Sequence, residues 1–330
     1  MSAATIVDVA RAAGVSKTTA SDALSGRGRV SDATREAVSS AAARLGYTIN
    51  KSARSLRTAT TGAIGLYVPQ VLFRSEYYLS FVYGVVRQAA DAGYDVTLMA
   101  GTEPVPAYAP HVDGLVLCDP VDSDPMVNRL MATGLPVVTC ERYPGDVTPA
   151  GVVWSDHGRY VSQVFDQMAE AGSNRLALLA STTVSDWALT IQETYRAWCE
   201  RSSREPLMIE VPFGADVTTL VEAVDVLLDN NPDVDSLVCA ADGVAAAIMP
   251  SIVRHGFTIG DDFLLASCVD SSAMEFAHPP ITAIDTKGGD AGAECARLLF
   301  DVLSGASESG TVHELALEVH TRSSTKRRIA

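Results

Sequence analysis

The chain has 330 residues, of which 47% are hydrophobic and 20% are charged, and its formal net charge is −15 at pH 7. This composition supports about two domains with ordinary apolar cores and excludes a disordered or fibrous chain. No uncharged apolar run of about 18 residues occurs. Asp8, Arg11 and Lys17 stand where a signal peptide needs its apolar stretch. We therefore predict a cytoplasmic protein without a membrane span.

The cysteines and histidines show no pattern typical of a metal site or of a disulfide framework. The six cysteines lie at least 22 positions apart and form no C-x-x-C pair. Four of them lie inside apolar runs, which is typical of buried reduced thiols. The six histidines are scattered along the chain. The sequence therefore predicts neither a bound metal nor a cofactor.

Charge is distributed unevenly along the chain. Residues 1–61 contain nine basic and four acidic residues, a net charge of +5, whereas residues 62–330 contain 16 basic and 36 acidic residues, a net charge of −20. Because phosphate backbones attract basic surfaces and repel acidic ones, only the first segment is suited to bind DNA. The split indicates a small DNA-binding head joined to a larger acidic body that senses another signal.

Apolar spacing in the first 25 residues predicts two short helices joined by a turn. Thr5 and Asp8 are placed as a capping box, and one apolar helical face follows at Ile6, Val9, Ala10 and Ala13. Gly14 ends this helix, and Ser16 is placed to cap a second helix over residues 17–24. Two short helices around a glycine-containing turn are typical of a helix-turn-helix.

A third helix completes a small predicted core. Ser31 is placed to cap it, Gly46 to end it, and its apolar face is formed by Val38, Ala41, Ala42 and Leu45. The second helix of such a module enters the major groove, so we predict Lys17, Thr18 and Asp22 as base readers. Other predicted DNA contacts, mostly on the phosphate side, are Thr5, Ser16, Thr19, Ser21, Arg29, Ser31 and Thr34.

Asp22 is unusual for a DNA reader. A carboxylate cannot favour a phosphate, and among base edges it accepts a hydrogen bond from the cytosine amino group. The alternative interpretation is a surface helical bundle in which Asp22 is a solvated charge.

The segment 50–57 is compatible with a helix and carries an exposed leucine, Leu56. Eight residues are fewer than the roughly 12–15 that an isolated helix needs in water, so another surface must hold it. Two copies on DNA could wedge Leu56 into a minor-groove step. The predicted contacts here are Asn50, Ala53, Arg54 and Leu56, and the alternative is a flexible linker.

Beyond residue 62, apolar runs of strand length alternate with helix-length segments. Ten strands are predicted, over residues 63–68, 96–100, 114–118, 136–140, 151–154, 176–180, 208–212, 236–240, 263–269 and 281–284. This alternation predicts an α/β body with two parallel sheets, each covered on both faces. Ligands of such folds bind beyond the carboxyl ends of the strands, here between two lobes. No phosphate-loop or hydrolase motif occurs, so an enzyme is disfavoured.

Three motifs of the first 60 residues resemble the lactose-repressor (LacI/GalR) family of bacterial transcription regulators. They are the segments 5–19, 45–47 and 53–58. The resemblance continues through landmarks of the body and covers the full chain. It assigns base reading to Lys17, Thr18 and Asp22, and a minor-groove lever to Leu56. Departures from the family pattern in this region are Ala20, Asp22 and Ile49.

The resemblance implies a homodimeric, operator-binding repressor controlled by a small-molecule effector. It implies a head at 1–48, a hinge helix and linker at 49–61, and a two-lobed body at 62–330 similar to periplasmic sugar-binding proteins. The operator is expected to be a near-palindrome, and repressor rather than activator is the preferred interpretation. Two alternatives stay open: a cytoplasmic ligand sensor that has lost sequence-specific DNA readout, and an enzyme on the same scaffold.

Effector positions of the family carry over unevenly. Asp270 matches an aspartate that bonds ligand hydroxyls, whereas usual polar anchors are replaced by Ile191, Ala241 and Thr286. Aromatic residues could take over the lining, so a ligand less polar than usual is also open. The predicted effector contacts are Tyr77, Tyr78, Trp154, Trp187, Ile191 and Asp270, and the alternative is that the rings fill core. Residues 101–111 contain three prolines where the family inserts a helix, so no helix is expected there.

Overall fold

The structure is a computed structural model that describes residues 4–25, 28–47, 60–69, 75–99 and 111–327. The chain divides into two compact units, the head at residues 1–61 and the body at residues 62–330. The predicted boundary between head and hinge, after residue 48, lies outside the described residues and stays a prediction. The proline-containing segment 101–110 also lies outside them.

The head contains the three helices that the spacing predicts: α1 (Ile6–Ala13), α2 (Lys17–Ser25) and α3 (Asp32–Leu45). The capping box is present, since the Thr5 amide donates to Asp8 Oδ2 at 3.0 Å and Thr5 Oγ1 accepts from the Asp8 amide at 3.4 Å. Gly14 and Gly46 end α1 and α3 with φ of 68° and 60°, in the left-handed region that favours glycine.

The fully buried part of the head core consists of alanines and valines. Buried members come from all three helices: Val9, Ala10, Ala20, Ala23, Val38, Ala41 and Ala42. Ala20, a departure from the family pattern, has no exposed surface. Small residues let three short helices approach closely, so this core depends on tight packing rather than on large apolar area.

The body contains eight α-helices and twelve strands among its described residues. The helices are α4 (Glu76–Asp91), α5 (Pro125–Met131), α6 (His157–Glu170), α7 (Asp186–Arg201), α8 (Val217–Asn230), α9 (Val244–Arg254), α10 (Ser272–Glu275) and α11 (Gly288–Ser304). The strands are β1 (Ala63–Tyr67), β2 (Asp95–Met99), β3 (Leu115–Cys118), β4 (Val137–Cys140), β5 (Gly151–Trp154), β6 (Leu176–Ser181), β7 (Met208–Val211), β8 (Ser236–Cys239), β9 (Leu264–Ser267), β10 (Thr282–Asp285), β11 (Thr311–Glu314) and β12 (Glu318–His320).

These strands form two six-stranded sheets, each of which is the centre of one lobe. The first lobe has the strand order β11-β5-β4-β3-β1-β2 and the second lobe has the order β12-β10-β9-β8-β6-β7. The chain passes between the lobes after β5, between β10 and α11, and between β11 and β12. The α/β class with two parallel-rich sheets is therefore confirmed.

Strand side chains alternate between two separate cores in each lobe. In β6, Leu176 and Leu178 contact the core under α6 and α7, whereas Ala177 and Leu179 contact the core under α8 and α9. A strand buried on both faces forms a continuous apolar run, which explains why the central strands of both sheets are recognisable in the sequence.

Two strands were not predicted from the sequence. β11 pairs in parallel with β5 at the edge of the first sheet, and its Val312 is exposed. β12 pairs antiparallel with β10 and has three residues. Each of these two short strands contains a single apolar residue, Val312 or Val319, so neither shows the apolar run by which the other strands are recognised.

No described helix is both long and apolar enough to cross a membrane. All six cysteines are buried, as the sequence predicts. Within the described ranges, no group of three or more histidine, cysteine or acidic side chains is arranged to hold a metal ion.

Helices α4 and α11 cross with backbone in direct contact. A Cβ atom added to Gly84 would lie 2.0 Å from the Gly289 carbonyl oxygen, and one added to Gly292 would lie 2.1 Å from the Phe81 carbonyl oxygen. Real Cβ atoms do not approach backbone this closely. Glycine is therefore required at this crossing because the two helix backbones leave no room for a side chain.

We expect Gly84→Ala to destabilise the body by about 1–3 kcal/mol, because the added methyl overpacks the crossing. Helix propensity alone predicts the opposite, a gain of about 1 kcal/mol. Urea denaturation of the variant, beside an Arg87→Ala control on an exposed position of the same helix, measures the sign. A more stable Gly84→Ala protein would show that the crossing tolerates a side chain.

Candidate functional site

The predicted DNA contacts of the head gather at the starts of its helices. Ser16 Oγ accepts a hydrogen bond from the Thr19 amide at 3.0 Å and lies 2.8 Å from Thr19 Oγ1. Ser31 Oγ lies 2.8 Å from Thr34 Oγ1 in the same arrangement at α3. Thr5 caps α1. These hydroxyls stabilise helix starts whose partial positive charge suits a phosphate group.

The predicted base readers lie on the first turns of α2. Lys17 and Thr18 are exposed, whereas Ser21 and Asp22 are half-buried. Asp22 faces the loop that follows α2, since a Cβ at Gly28 would lie 3.2 Å from Asp22 Oδ2. Lys17 and Thr18 are therefore accessible to a ligand, and Asp22 packs beside the loop.

The remaining predicted DNA contacts are Arg29 and four residues of the hinge. Arg29 is exposed in the loop between α2 and α3. The hinge contacts lie outside the described residues: Asn50, Ala53, Arg54 and Leu56. Their roles, like those of the other DNA contacts, stay predictions.

A cavity of about 490 Å³ lies between the lobes of the body. Its wall is made where strands end in both sheets: Asp119 follows β3, Glu141 follows β4, Ser181 ends β6 and Thr286 follows β10. Parallel strands bring these ends to one edge of each sheet, which is where ligands of such folds bind. The volume falls within the range of small-molecule sites.

Four aromatic rings form the less polar part of the wall. They are Tyr77, Tyr78, Trp187 and Phe213. The Tyr77 and Tyr78 rings meet edge to face with centroids 5.4 Å apart, and Tyr78 meets Phe213 in the same way at 6.4 Å. Tyr77, Tyr78 and Phe213 therefore form one connected aromatic surface.

Glu141, His157 and Asp119 are three of the ionisable groups on the polar part of the wall. Glu141 and His157 are only 5% and 6% exposed, and His157 Nε2 lies 3.0 Å from Glu141 Oε1. Asp119 Oδ2 accepts from the Tyr78 hydroxyl at 3.1 Å. Asp119 Oδ1 is buried and has no hydrogen-bond partner of ordinary geometry among the described residues.

Burial raises the pKa values of the two carboxyl groups, whereas the contact with Glu141 raises the pKa of His157. Loss of hydration raises the pKa of Asp119 to about 6, against the opposing effect of the Tyr78 and Ser185 hydroxyls. Burial also raises the pKa of Glu141 to about 7, although His157 opposes this shift. Burial alone would lower the pKa of His157, but the Glu141 carboxylate outweighs it and raises that pKa.

Three of the six predicted effector contacts lie on the cavity wall: Tyr77, Tyr78 and Trp187. Ala241 and Thr286, where the family's usual polar anchors are missing, also lie there. The other three predicted contacts, Trp154, Ile191 and Asp270, are not among its lining residues.

Each of these three side chains is occupied elsewhere. Ile191 lies one helical turn beyond Trp187 on α7 and is fully buried in the second-lobe core. The Trp154 ring is covered by the Arg142 guanidinium, 3.7 Å from its centroid. Asp270 accepts from Arg322 Nη1 and Nη2 at 2.8 and 2.7 Å, with His320 Nδ1 also at 2.7 Å.

The Arg322 contact also decides the charge state of Asp270. Although burial opposes it, hydrogen bonds from Arg322 and His320 hold the pKa of Asp270 below its ordinary value. Asp270 is therefore an ionised carboxylate whose two oxygens both accept hydrogen bonds, unlike Asp119.

Sequence reasoning missed Asp119, Glu141 and His157. A signal was available for the two carboxylates, because each directly follows an apolar strand run at its carboxyl end. His157 begins a helix after β5, and its partner is 16 positions away, so nothing local indicated the pair.

A set of hydrogen bonds joins the two lobes beside the cavity. Asp242 of the second lobe accepts from Ser75 Oγ at 3.0 Å and from the amides of Glu76 and Tyr77 at 2.8 and 3.4 Å. Glu76 in turn accepts from the amide and hydroxyl of Ser272 at 3.0 and 2.7 Å. We call these contacts the interlobe clasp. They link the start of α4 to the second lobe.

Comparisons with known proteins agree with this architecture. The model of the lacI family of bacterial regulatory proteins matches residues 5–50, and that of a periplasmic binding protein-like domain matches residues 165–325. The HTH-type transcriptional regulator CelR of Thermobifida fusca is 32% identical over 333 residues, covering 96% of each chain.

Solved structures give the same result. A CelR–cellobiose complex has a TM-score of 0.74 at 28% identity and covers 97% of this chain and 99% of its own. The lac repressor dimer bound to operator and the anti-inducer ONPF has a TM-score of 0.82 at 21% identity, covering 98% and 100%. At that identity the second likeness concerns the fold. Because the similarity to CelR extends over almost the whole length, the chain belongs to the lacI family of bacterial regulatory proteins, which are DNA-binding transcription regulators and not enzymes.

Proposed function

We propose that this chain is a cytoplasmic repressor that binds a near-palindromic operator as a homodimer, with its DNA affinity controlled by a small sugar-like effector between the lobes. The observation that carries the proposal is the cavity at the strand ends of both lobes. It occurs in a chain similar over its full length to CelR, which is known in complex with cellobiose.

Effector control requires two arrangements of the lobes that differ in affinity for the ligand. A ligand shifts DNA binding only by the difference between its affinities for the two arrangements. The interlobe clasp stabilises one arrangement, because Asp242 and Glu76 bond across the cleft. A ligand that contacts both lobes therefore changes the free-energy difference between the two arrangements, to which the clasp contributes. The predicted hinge at 49–61 would transmit that change to the head.

Homodimer formation is supported by an apolar face on α4. Leu79, Tyr83 and Val86 are 48%, 67% and 42% exposed, and their spacing places them on one side of the helix. The second lobe also exposes Val226, Val253 and Phe276. Exposed apolar side chains that recur on one face favour an interface.

The proposal is tested by selecting duplexes from a random pool with the full chain at near-physiological salt. We expect a near-palindromic consensus, and release of the selected duplex when cellobiose or a related sugar is added. Binding that depends steeply on salt but shows no preferred sequence would instead support a sensor that has lost DNA readout.

Lys17→Ala should then weaken binding of the selected duplex by about 5–150-fold relative to random competitor, because a base-edge contact contributes about 1–3 kcal/mol. Fluorescence anisotropy at constant salt measures both affinities. Lys326→Ala, which removes an exposed positive charge from the body, is the matched control. Equal losses on specific and random duplexes would remove Lys17 from base reading.

Tyr83→Glu should convert the dimer to a monomer at micromolar concentration, because a charge at the centre of the α4 face must be buried in the interface. Sedimentation velocity measures the change in mass. Val147→Glu places the same charge on another exposed apolar residue and should leave the dimer intact. A persistent Tyr83→Glu dimer would exclude this face as the interface.

Asp119→Asn should stabilise the unliganded body at pH 8 by up to about 3 kcal/mol, with little gain near pH 4. The folded pKa of Asp119, about 6, lies above its ordinary value of 3.8. The protonated form therefore stabilises the fold below pH 4, and this stability is lost as the pH rises through 6. Urea denaturation at both pH values measures the effect.

The control for this pH series is Asp122→Asn, which changes an exposed carboxylate near the same strand end. It should alter the free energy of unfolding by no more than about 0.5 kcal/mol at either pH. If Asp119→Asn shows the same small change at pH 8, burial of Asp119 carries no cost.

A further inference from the structure

We propose that the cavity accepts uncharged saccharides and rejects phosphorylated or carboxylated ones, and that Asp119 sets this specificity. The inference rests on the proposed function, since it concerns the effector of the same site.

The charged side chains of the wall have one predominant sign. Carboxylates are contributed by Asp119, Glu141, Asp216 and Asp242, and His157 is the basic residue. Among the described residues, neither lysine nor arginine lines the cavity. His157 is paired with Glu141 at 3.0 Å, so its positive charge is already opposed. An anionic ligand would therefore meet carboxylates without a cation to balance its charge.

Asp119 differs from the other wall carboxylates in what it contacts. Asp242 accepts three hydrogen bonds in the interlobe clasp. Asp216 caps α8 and accepts from the Thr219 amide at 2.9 Å. Glu141 has His157, whereas one buried oxygen of Asp119 has no partner of ordinary geometry among the described residues. A buried acceptor whose hydrogen bonding is incomplete is costly, so a ligand that brings a well-placed donor gains affinity there.

A saccharide hydroxyl supplies that donor, and an ionised phosphate or carboxylate does not. The hydroxyl of Tyr78 holds the other oxygen of Asp119, which orients the carboxylate beside the aromatic wall. Tyr77, Tyr78 and Trp187 offer flat surfaces for the apolar faces of sugar rings. The hydroxyl donors at the edge of a sugar ring therefore match the Asp119 carboxylate. The apolar C–H groups on the face of the ring match the aromatic part of the cavity wall.

The test is isothermal titration calorimetry on the full chain without DNA, at pH 8. The neutral probes are glucose, cellobiose and maltose, and the anionic probes are glucose 6-phosphate, cellobiose 6′-phosphate, cellobionate and maltose 6′-phosphate. We expect at least one neutral probe to bind, and its anionic counterpart to bind at least about 100-fold more weakly. Equal or tighter binding of an anionic probe overturns the proposal, as does failure of all three neutral probes to bind.

Two variants assign the specificity to Asp119. Asp119→Asn should weaken the neutral probe by about 10-fold, because a hydrogen bond to a charged acceptor is lost. It should also reduce the preference for neutral over anionic probes by about 10-fold or more. Asp122→Asn removes an exposed carboxylate nearby and should change neither value. A preference unchanged in Asp119→Asn, or equally reduced in Asp122→Asn, refutes the assignment.

Failure of this inference is distinguishable from failure of the proposed function. If the neutral probe binds with the expected preference but no duplex is selected, the specificity stands and operator control fails. If the selected duplex is released only by an anionic probe, operator control stands and the specificity fails.

Discussion

The direction of the strands is the constraint on which the site depends. All strand pairs of the first sheet are parallel, and those of the second sheet are parallel except where β12 joins β10. Parallel strands place every carboxyl end at one edge, where the chain turns into a helix or loop and polar side chains can face solvent or ligand. Because the chain crosses between the lobes, these edges from both sheets line one cavity. Asp119 and Glu141 reach it as direct continuations of neighbouring strands β3 and β4.

The wall of the cavity is less stable than an apolar wall would be. A carboxylate removed from water is disfavoured unless it is paired, and burial raises the pKa values of both Asp119 and Glu141. The second lobe contains the contrasting case, since the Arg322 guanidinium forms two hydrogen bonds to Asp270 and keeps it ionised. This pair links two segments that are far apart in the chain, one after β9 and one after β12. An incompletely paired carboxylate on a cavity wall instead leaves binding free energy for a ligand.

The two units divide the physical tasks of a regulator. The head has a net charge of +5 and the body has −20, so long-range attraction to DNA acts on the head and repulsion acts on the body. The cores of the two units also differ. The head packs alanines and valines of three short helices, whereas the body surrounds each sheet with helices on both faces. The head is thus a small basic unit, and the cavity lies in the larger acidic body.

The local sequence determined the elements that depend only on neighbouring residues. The capping residues Thr5 and Ser31, the helix-ending Gly14 and Gly46, and the doubly buried strands all follow from spacing and residue type over a few positions. The α/β class followed from strand and helix alternation, and the DNA-binding head from charge and helix spacing. Tertiary structure decided which side chains meet. In the folded chain, Ile191 and Asp270 do not line the cavity, and Glu141 contacts His157. The crossing of α4 and α11 requires glycine. These outcomes depend on contacts between residues far apart in the chain, and periodicity carries information only about neighbours.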